Sequence, residues 1–329
     1  MSQSAPQPQT SPATDPHLVL DTHLVQARSL TDEGKADDGE REIRQYLSAH
    51  PQSAEGHFLL GYILFREIQQ NARTTASCVE TSASNSCDPA TRVSKARASL
   101  AEYTEGAKYS RPTAADLKIV ALDYILLADY PDADKWLTKM LQWAPNDADG
   151  WYLLGRTKYN ENQFEPAARS FEQSLKLDAK SVKAEDNLGL CYAALGRADE
   201  AAAAYRNAIA WQEDAPSKNP GPLIDMADLL LNLSKPDEAI AYLQQAVDIS
   251  PRDFKPHELL GKAYLRLERA QEAQQELEKA VLLAPDVANV HCMLVTAYRK
   301  QALMDKAKIE ADRCAALTGT HSSSDVPRQ

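Results

Sequence analysis

Leu154 and Leu188, Gly155 and Gly189, Ala167 and Ala201, and Phe171 and Tyr205 all stand one interval of 34 residues apart. An interval of that length marks a repeated supersecondary unit. Such a unit exposes an apolar face that only its neighbour can cover, so it predicts a stack of units rather than a single globular core. Counting backward by the same interval reaches Leu117, Ala121, Tyr124, Ala133, Leu137, Met140 and Pro145. Counting forward, past a four-residue slip at Pro216–Asn219, reaches Met226, Ala227, Leu230, Ala239, Leu243, Ala246 and Pro251. A further unit holds Leu260, Gly261, Tyr264, Ala273, Leu277, Ala280 and Pro285.

Weaker units flank these. Leu294, Tyr298, Ala307 and Ala311 form one at the C-terminal end, and Ala27, Leu30, Gly39, Ile43, Tyr46 and Pro51 form one at the N-terminal end. A unit from near Ala54, with Leu60, Gly61 and Leu64 on its first helix and Ala96, Leu100 and Tyr103 on its second, is split by an insertion at 71–91. Within each unit small residues at the glycine and alanine positions let two antiparallel helices approach, and Leu, Tyr or Phe fill the space between them. Prolines 51, 145, 251 and 285 end second helices, because proline has no N–H and restrains the residue before it.

The run Trp151, Leu154, Gly155, Ala167 and Phe171 resembles the tetratricopeptide pattern W-x2-L-G-x2-Y…A-x3-F, with Lys158 at the tyrosine position and Tyr159 beside it. The resemblance covers about residues 20–318 and is similar to bacterial-type tetratricopeptide arrays. It implies an all-α fold, a right-handed α-solenoid (superhelix) of about eight antiparallel helix pairs. The expected organisation is a disordered leader at 1–18, rich in Ser, Gln and Pro, the array at 19–319 with a loop near 71–91, and a disordered tail at 320–329.

The chain carries 36 basic and 47 acidic residues, a net charge of −11, which disfavours nucleic acid and anionic lipid as partners. No apolar run is long enough for membrane insertion. No signal peptide is visible at the start, which points to the cytoplasm; a trimmed signal would place the protein in the periplasm or outside the cell. The array leaves no stretch for a catalytic domain, and no phosphate-binding or zinc-protease motif occurs, so neither an enzyme nor a cofactor is expected.

His23, His57, His257 and His291 fall at the position of Trp151 in their units and are read as seam residues, not metal ligands. His50, at a helix end before Pro51, can meet the C-terminal dipole. Cys191, Cys292 and Cys314 are expected to act as small apolar helix residues. Cys78 and Cys87, in the Ser- and Thr-rich insertion, are the candidates for a disulfide.

In this family the first helices of successive units line a groove that holds a peptide, so the chain is expected to be a protein-interaction scaffold. The alternatives are an oligomerising or structural array whose groove its own segments fill, and an accessory subunit of an enzyme or envelope complex. The positions beside the packed stripe are Tyr152, Arg156, Tyr159 and Asn160, then Lys183, Asp186 and Asn187, then Asp225, Asp228 and Asn232. Lys255, Glu258, Lys262, Arg266, Arg299 and Lys300 continue the set. Each taken singly also fits a solvated helical face. Together they suggest an acidic or mixed-charge peptide anchored by Tyr152, Arg156 and Tyr159 and steered by the basic residues from 255 to 300. A carboxylate clamp of the co-chaperone kind is not expected. Tyr152, Arg156, Asn187, Gly221 and Asp225 hold its positions, and of these Asn187 alone matches.

Overall fold

A computed structural model describes residues 22–75 and 89–322. Among the described residues there are sixteen helices and no strand, so the protein is an all-α solenoid of helix pairs. The chain divides after Asn146 into two compact units. The first contains α1 (Thr22–Asp32) with α2 (Ala36–Ala49), α3 (Ala54–Thr75) with α4 (Pro89–Gly106), and α5 (Ala114–Leu126) with α6 (Tyr130–Trp143). The second contains α7 (Ala148–Asn160) with α8 (Phe164–Leu177), α9 (Val182–Ala194) with α10 (Ala198–Trp211), and α11 (Gly221–Asn232) with α12 (Pro236–Ile249). It continues with α13 (Phe254–Arg266) and α14 (Ala270–Leu283), then α15 (Ala288–Lys300) and α16 (Met304–Ser322).

Close approach within a pair follows from side-chain size. A methyl group on Gly61 would lie 2.8 Å from the Tyr103 ring, one on Gly155 2.7 Å from Phe171, and one on Gly189 2.5 Å from Tyr205. Ala133, Ala167, Ala201, Ala239 and Ala273 on the second helices are completely buried. Helix ends follow local chemistry. Thr113 and Asp116 form a capping box at the start of α5, Asp147 accepts from the Gly150 N–H at 2.9 Å at the start of α7, and Asp253 accepts from the Lys255 N–H at α13. Prolines 51, 145, 251 and 285 each stand two residues beyond the last residue of α2, α6, α12 and α14.

Six of the seven short turns inside the pairs share a backbone device with the first. Gly34, Ala128, Asn162, Gly196, Ser234, Glu268 and Ala302 all adopt left-handed φ, between 56° and 85°. Each is followed by a residue whose N–H reaches back to the last turn of the first helix, as Arg197 does to the Tyr192 carbonyl at 2.8 Å. Within each unit, a second helix also packs on the first helix of the next pair, and successive first helices touch, so that first helices share one face.

The insertion expected at 71–91 is helical at both ends, since α3 runs to Thr75 and α4 starts at Pro89; the residues between them lie outside the described ones. The expected leader also lies outside the described residues, and α16 continues to Ser322, into the stretch assigned to the tail.

Candidate protein-interaction site

Every residue expected to line the groove belongs to the second unit, on first helices α7, α9, α11, α13 and α15. Tyr152 packs on Phe171 with ring centroids 5.8 Å apart and carries the Lys183 ammonium 4.4 Å from its own ring. Tyr159 meets the edge of Phe164, and burial raises its pKa. Arg156 and Asn160 are exposed. Tyr159 joins Leu190, Ala193, Asp225, Asp228 and Leu229 around a pocket of 430 Å³ between α7, α9 and α11. Asn187 donates to the Lys183 carbonyl, and Asn232 donates to Asp228 at 3.3 Å.

The basic stripe is largely engaged inside the molecule. Lys183 pairs with Asp149 at 2.9 Å, Lys255 with Glu258 at 2.9 Å, and Lys262 with Asp228 at 3.2 Å. Lys300 pairs with Glu268, and the Arg266 guanidinium donates to the Leu231 carbonyl. Arg299 is exposed. Glu258 is 5% exposed, held by Lys255 and by the Asn289 amide at 2.6 Å, so it is a joint between pairs rather than a presented group.

The pocket itself is lined by two acids, Asp225 and Asp228, with a third buried behind them. Asp225 lines the pocket, and burial together with Asp228 pushes its carboxyl up to about 6. Asp186 lies one turn before Leu190 on α9 and is only 7% exposed. Its Oδ1 is buried without a hydrogen-bond partner, and burial, reinforced by Asp225, pushes its carboxyl up to about 8. No group of three or more His, Cys, Asp or Glu among the described residues is arranged to hold a metal ion.

Two features were not foreseen. A groove of 670 Å³ in the first unit is walled by Leu24, Phe58, Tyr62 and Ile119, with Arg28 and Arg111 at its edge. The Arg28 guanidinium lies 4.7 Å from the Tyr62 ring and that of Arg111 lies 3.9 Å from Trp143. None of these residues stands among the groove positions expected from sequence, which come from the later units alone. The seam histidines form a repeated histidine–glutamate contact. His23, His257 and His291 meet Glu42, Glu276 and Glu310, each nineteen residues on, and His57 meets Glu102 across the insertion. The interval could have been read from the sequence, had the second helices been searched for acids. His50 does meet its helix end, with Nδ1 3.2 Å from the Tyr46 carbonyl oxygen.

The cysteine assignment needs correction. Cys292 on α15 and Cys314 on α16 are bonded to each other, because pairing the two helices brings their Cα atoms to 5.3 Å. They are not independent apolar residues. Cys191 is buried and free as expected, whereas Cys78 and Cys87 lie outside the described residues.

Family models described as tetratricopeptide repeat match residues 24–67, 148–181, 181–252 and 230–298. The chain belongs to the tetratricopeptide-repeat family. Comparison with curated proteins returns no relative. Among solved structures, the APC/C hetero-tetramer Cut9-Hcn1 is similar over 94% of this chain and 62% of its own, with a TM-score of 0.57 at 17% identity. The type IV pilus biogenesis factor PilW is similar over 63% of this chain and 94% of its own, with a TM-score of 0.56 at 16% identity. At these identities the likeness extends to the tetratricopeptide fold alone.

Proposed function

We propose that this tetratricopeptide-repeat protein is a non-catalytic interaction module that holds a peptide segment of a partner on the first-helix face of its second unit. The observation that carries the reading is the pocket between α7, α9 and α11. There Tyr159 and two carboxylates share a recess with Leu190, Ala193 and Leu229, which is the mix of apolar wall and few polar groups that binding sites use. Tyr152 and Arg156 stand one or two turns away on α7 and extend the same face. The expected acidic or mixed-charge partner narrows to a mixed-charge one, since most of the basic residues proposed to steer it are already paired.

The test begins with capture of partners by the full chain and cross-linking to map the contact. Tyr159→Ala with Arg156→Ala is expected to weaken the captured partner by about 2 kcal/mol or more, the scale of a hot-spot truncation, with helicity unchanged. Wild-type affinity in that variant, together with loss of binding in Tyr62→Ala, would move the site to the groove of the first unit. The Cys292–Cys314 bond favours an oxidising compartment over the cytoplasm, where thiols are kept reduced.

A further inference from the structure

Lys262 reaches from α13 to Asp228 at 3.2 Å, so the rim of the 430 Å³ pocket already accommodates one ammonium group. That cation serves one of three neighbouring carboxylates. Asp225 sits a turn before Asp228 on α11, and Lys255, whose charge acts on it, is engaged with Glu258 at 2.9 Å. Asp186, 7% exposed, meets the field of Asp225 from α9, and its Oδ1 has no partner. A buried carboxylate left unsatisfied is costly, and native interiors supply a partner for nearly all such groups. Beside Asp225 and Asp228, Leu190, Ala193 and Leu229 offer an apolar wall. An aliphatic wall leading to uncompensated carboxylates matches a long basic side chain, with its methylene stem and charged head.

We infer that the pocket between α9 and α11 takes a lysine or arginine side chain of the bound segment, with the stem on Leu190, Ala193 and Leu229 and the cationic head between Asp225 and Asp228, the buried Asp186 adding to the negative field behind them. The inference rests on the first-helix face of the second unit being the binding face, and it gives the partner its chemistry. The segment carries a basic residue at the point where it crosses Tyr159.

The experiment measures binding of labelled peptide probes to the full chain: alternating Ala-Lys, the same peptide with every lysine acetylated, and alternating Ala-Glu. The Ala-Lys probe is expected to bind and the other two to bind at least about tenfold more weakly, a difference of about 1.4 kcal/mol. Asp225→Asn with Asp228→Asn should weaken the Ala-Lys probe by a similar factor. Glu213→Gln with Asp214→Asn, an equal loss of charge on exposed residues, should not. Lys262→Gln removes the resident cation and should tighten the probe several-fold. Thermal melting of each variant reports folding; in the asparagine pair the lost Lys262–Asp228 contact is an exposed one, so the variant should stay folded at the assay temperature. Equal binding of the acetylated probe, or no binding of any probe, overturns the inference. Indifference to the asparagine pair combined with loss in Tyr159→Ala with Arg156→Ala overturns it while leaving the face as the binding site. Indifference to both pairs removes both readings.

Discussion

Gly189 and Tyr205 are sized to each other across the α9–α10 seam, as Gly155 and Phe171 are across α7–α8 and Gly61 and Tyr103 across α3–α4. Where the second helix carries leucine instead, at Leu137 and Leu243, alanine stands at the facing position, at Ala121 and Ala227. Gly261 opposite Leu277 departs from that rule. Tyr205 is 1% exposed and its ring would lie 2.5 Å from the added methyl, so Gly189→Ala is expected to destabilise the chain by about 1–3 kcal/mol in urea unfolding, the usual range for overpacking. Adding Tyr205→Leu should recover part of that loss, a coupling that a double-mutant cycle will read directly. His57 is a second residue whose neighbours decide its chemistry. Burial opposes its protonation, but hydrogen bonds from its ring to Glu102 at 2.7 Å and to the Pro51 carbonyl at 3.0 Å outweigh that and raise its pKa. A raised pKa contributes stability that is fully present below the unfolded value and is lost as pH rises through the folded one. His57→Gln should therefore be less stable than the parent by about 1–2 kcal/mol at acidic pH, with the gap shrinking toward pH ~8.

At the scale of elements, the seven left-handed turn residues fall at one place in the repeat, yet only Gly34, Gly196 and Asn162 are residues that favour it. Ala128 and Ala302 hold that conformation against their own preference. Ala128→Gly is expected to raise stability by about 1 kcal/mol, whereas Gly196→Ala, with open space around the site, should lower it by about as much through backbone strain alone. The turns explain why helix existence was legible and their backbone state was not, since Ala, Ser and Glu carry no mark of left-handed φ. The terminal pair is fixed differently. Cys292 and Cys314 stand 22 residues apart on antiparallel helices, a relation that only pairing of the helices makes short. Replacing both with alanine should lower stability by about 3 kcal/mol and expose α16 to proteolysis. Intact mass without reductant should fall ~2 Da below the reduced value for this bond, and by ~4 Da if Cys78 and Cys87 also pair.

Over the whole molecule, both units bury acids that burial itself pushes upward: Glu67 and Asp123 to about 7 in the first, Asp186 to about 8 and Asp225 to about 6 in the second. Asp123 is fully buried, and Ser99 is the one polar group that offsets the effect of its burial. For each of these acids the folded state holds its proton to higher pH than the unfolded chain does. Stability therefore falls as pH rises from about 4 toward 8, the same direction as the His57 contribution. The urea midpoint is expected to be higher near pH ~5.5 than near pH ~8.5. Asp123→Asn and Asp186→Asn should each raise stability at the alkaline end by on the order of 1–3 kcal/mol and flatten the profile. A profile unchanged by either substitution would show that these carboxylates find partners in solution. No helix among the described residues is long and apolar enough to cross a membrane.

The spacing of Leu, Gly, Ala and Pro by itself determined the helix pairs and most residues of their seams, because those depend on local periodicity and on side-chain size across a repeated contact; the ends of α3, α4 and α16 it did not. The same periodicity placed Tyr152, Tyr159, Asp225 and Asp228 on one face. It could not say which of the charged residues there are free. Whether Lys262 steers a partner or neutralises Asp228, and whether Glu258 is presented or buried, depends on which residues successive pairs bring within a few ångströms of each other. The Cys292–Cys314 bond and the unpaired carboxylate of Asp186 were likewise decided only by the tertiary structure, since electrostatic and covalent pairing act through space between residues that sequence keeps apart.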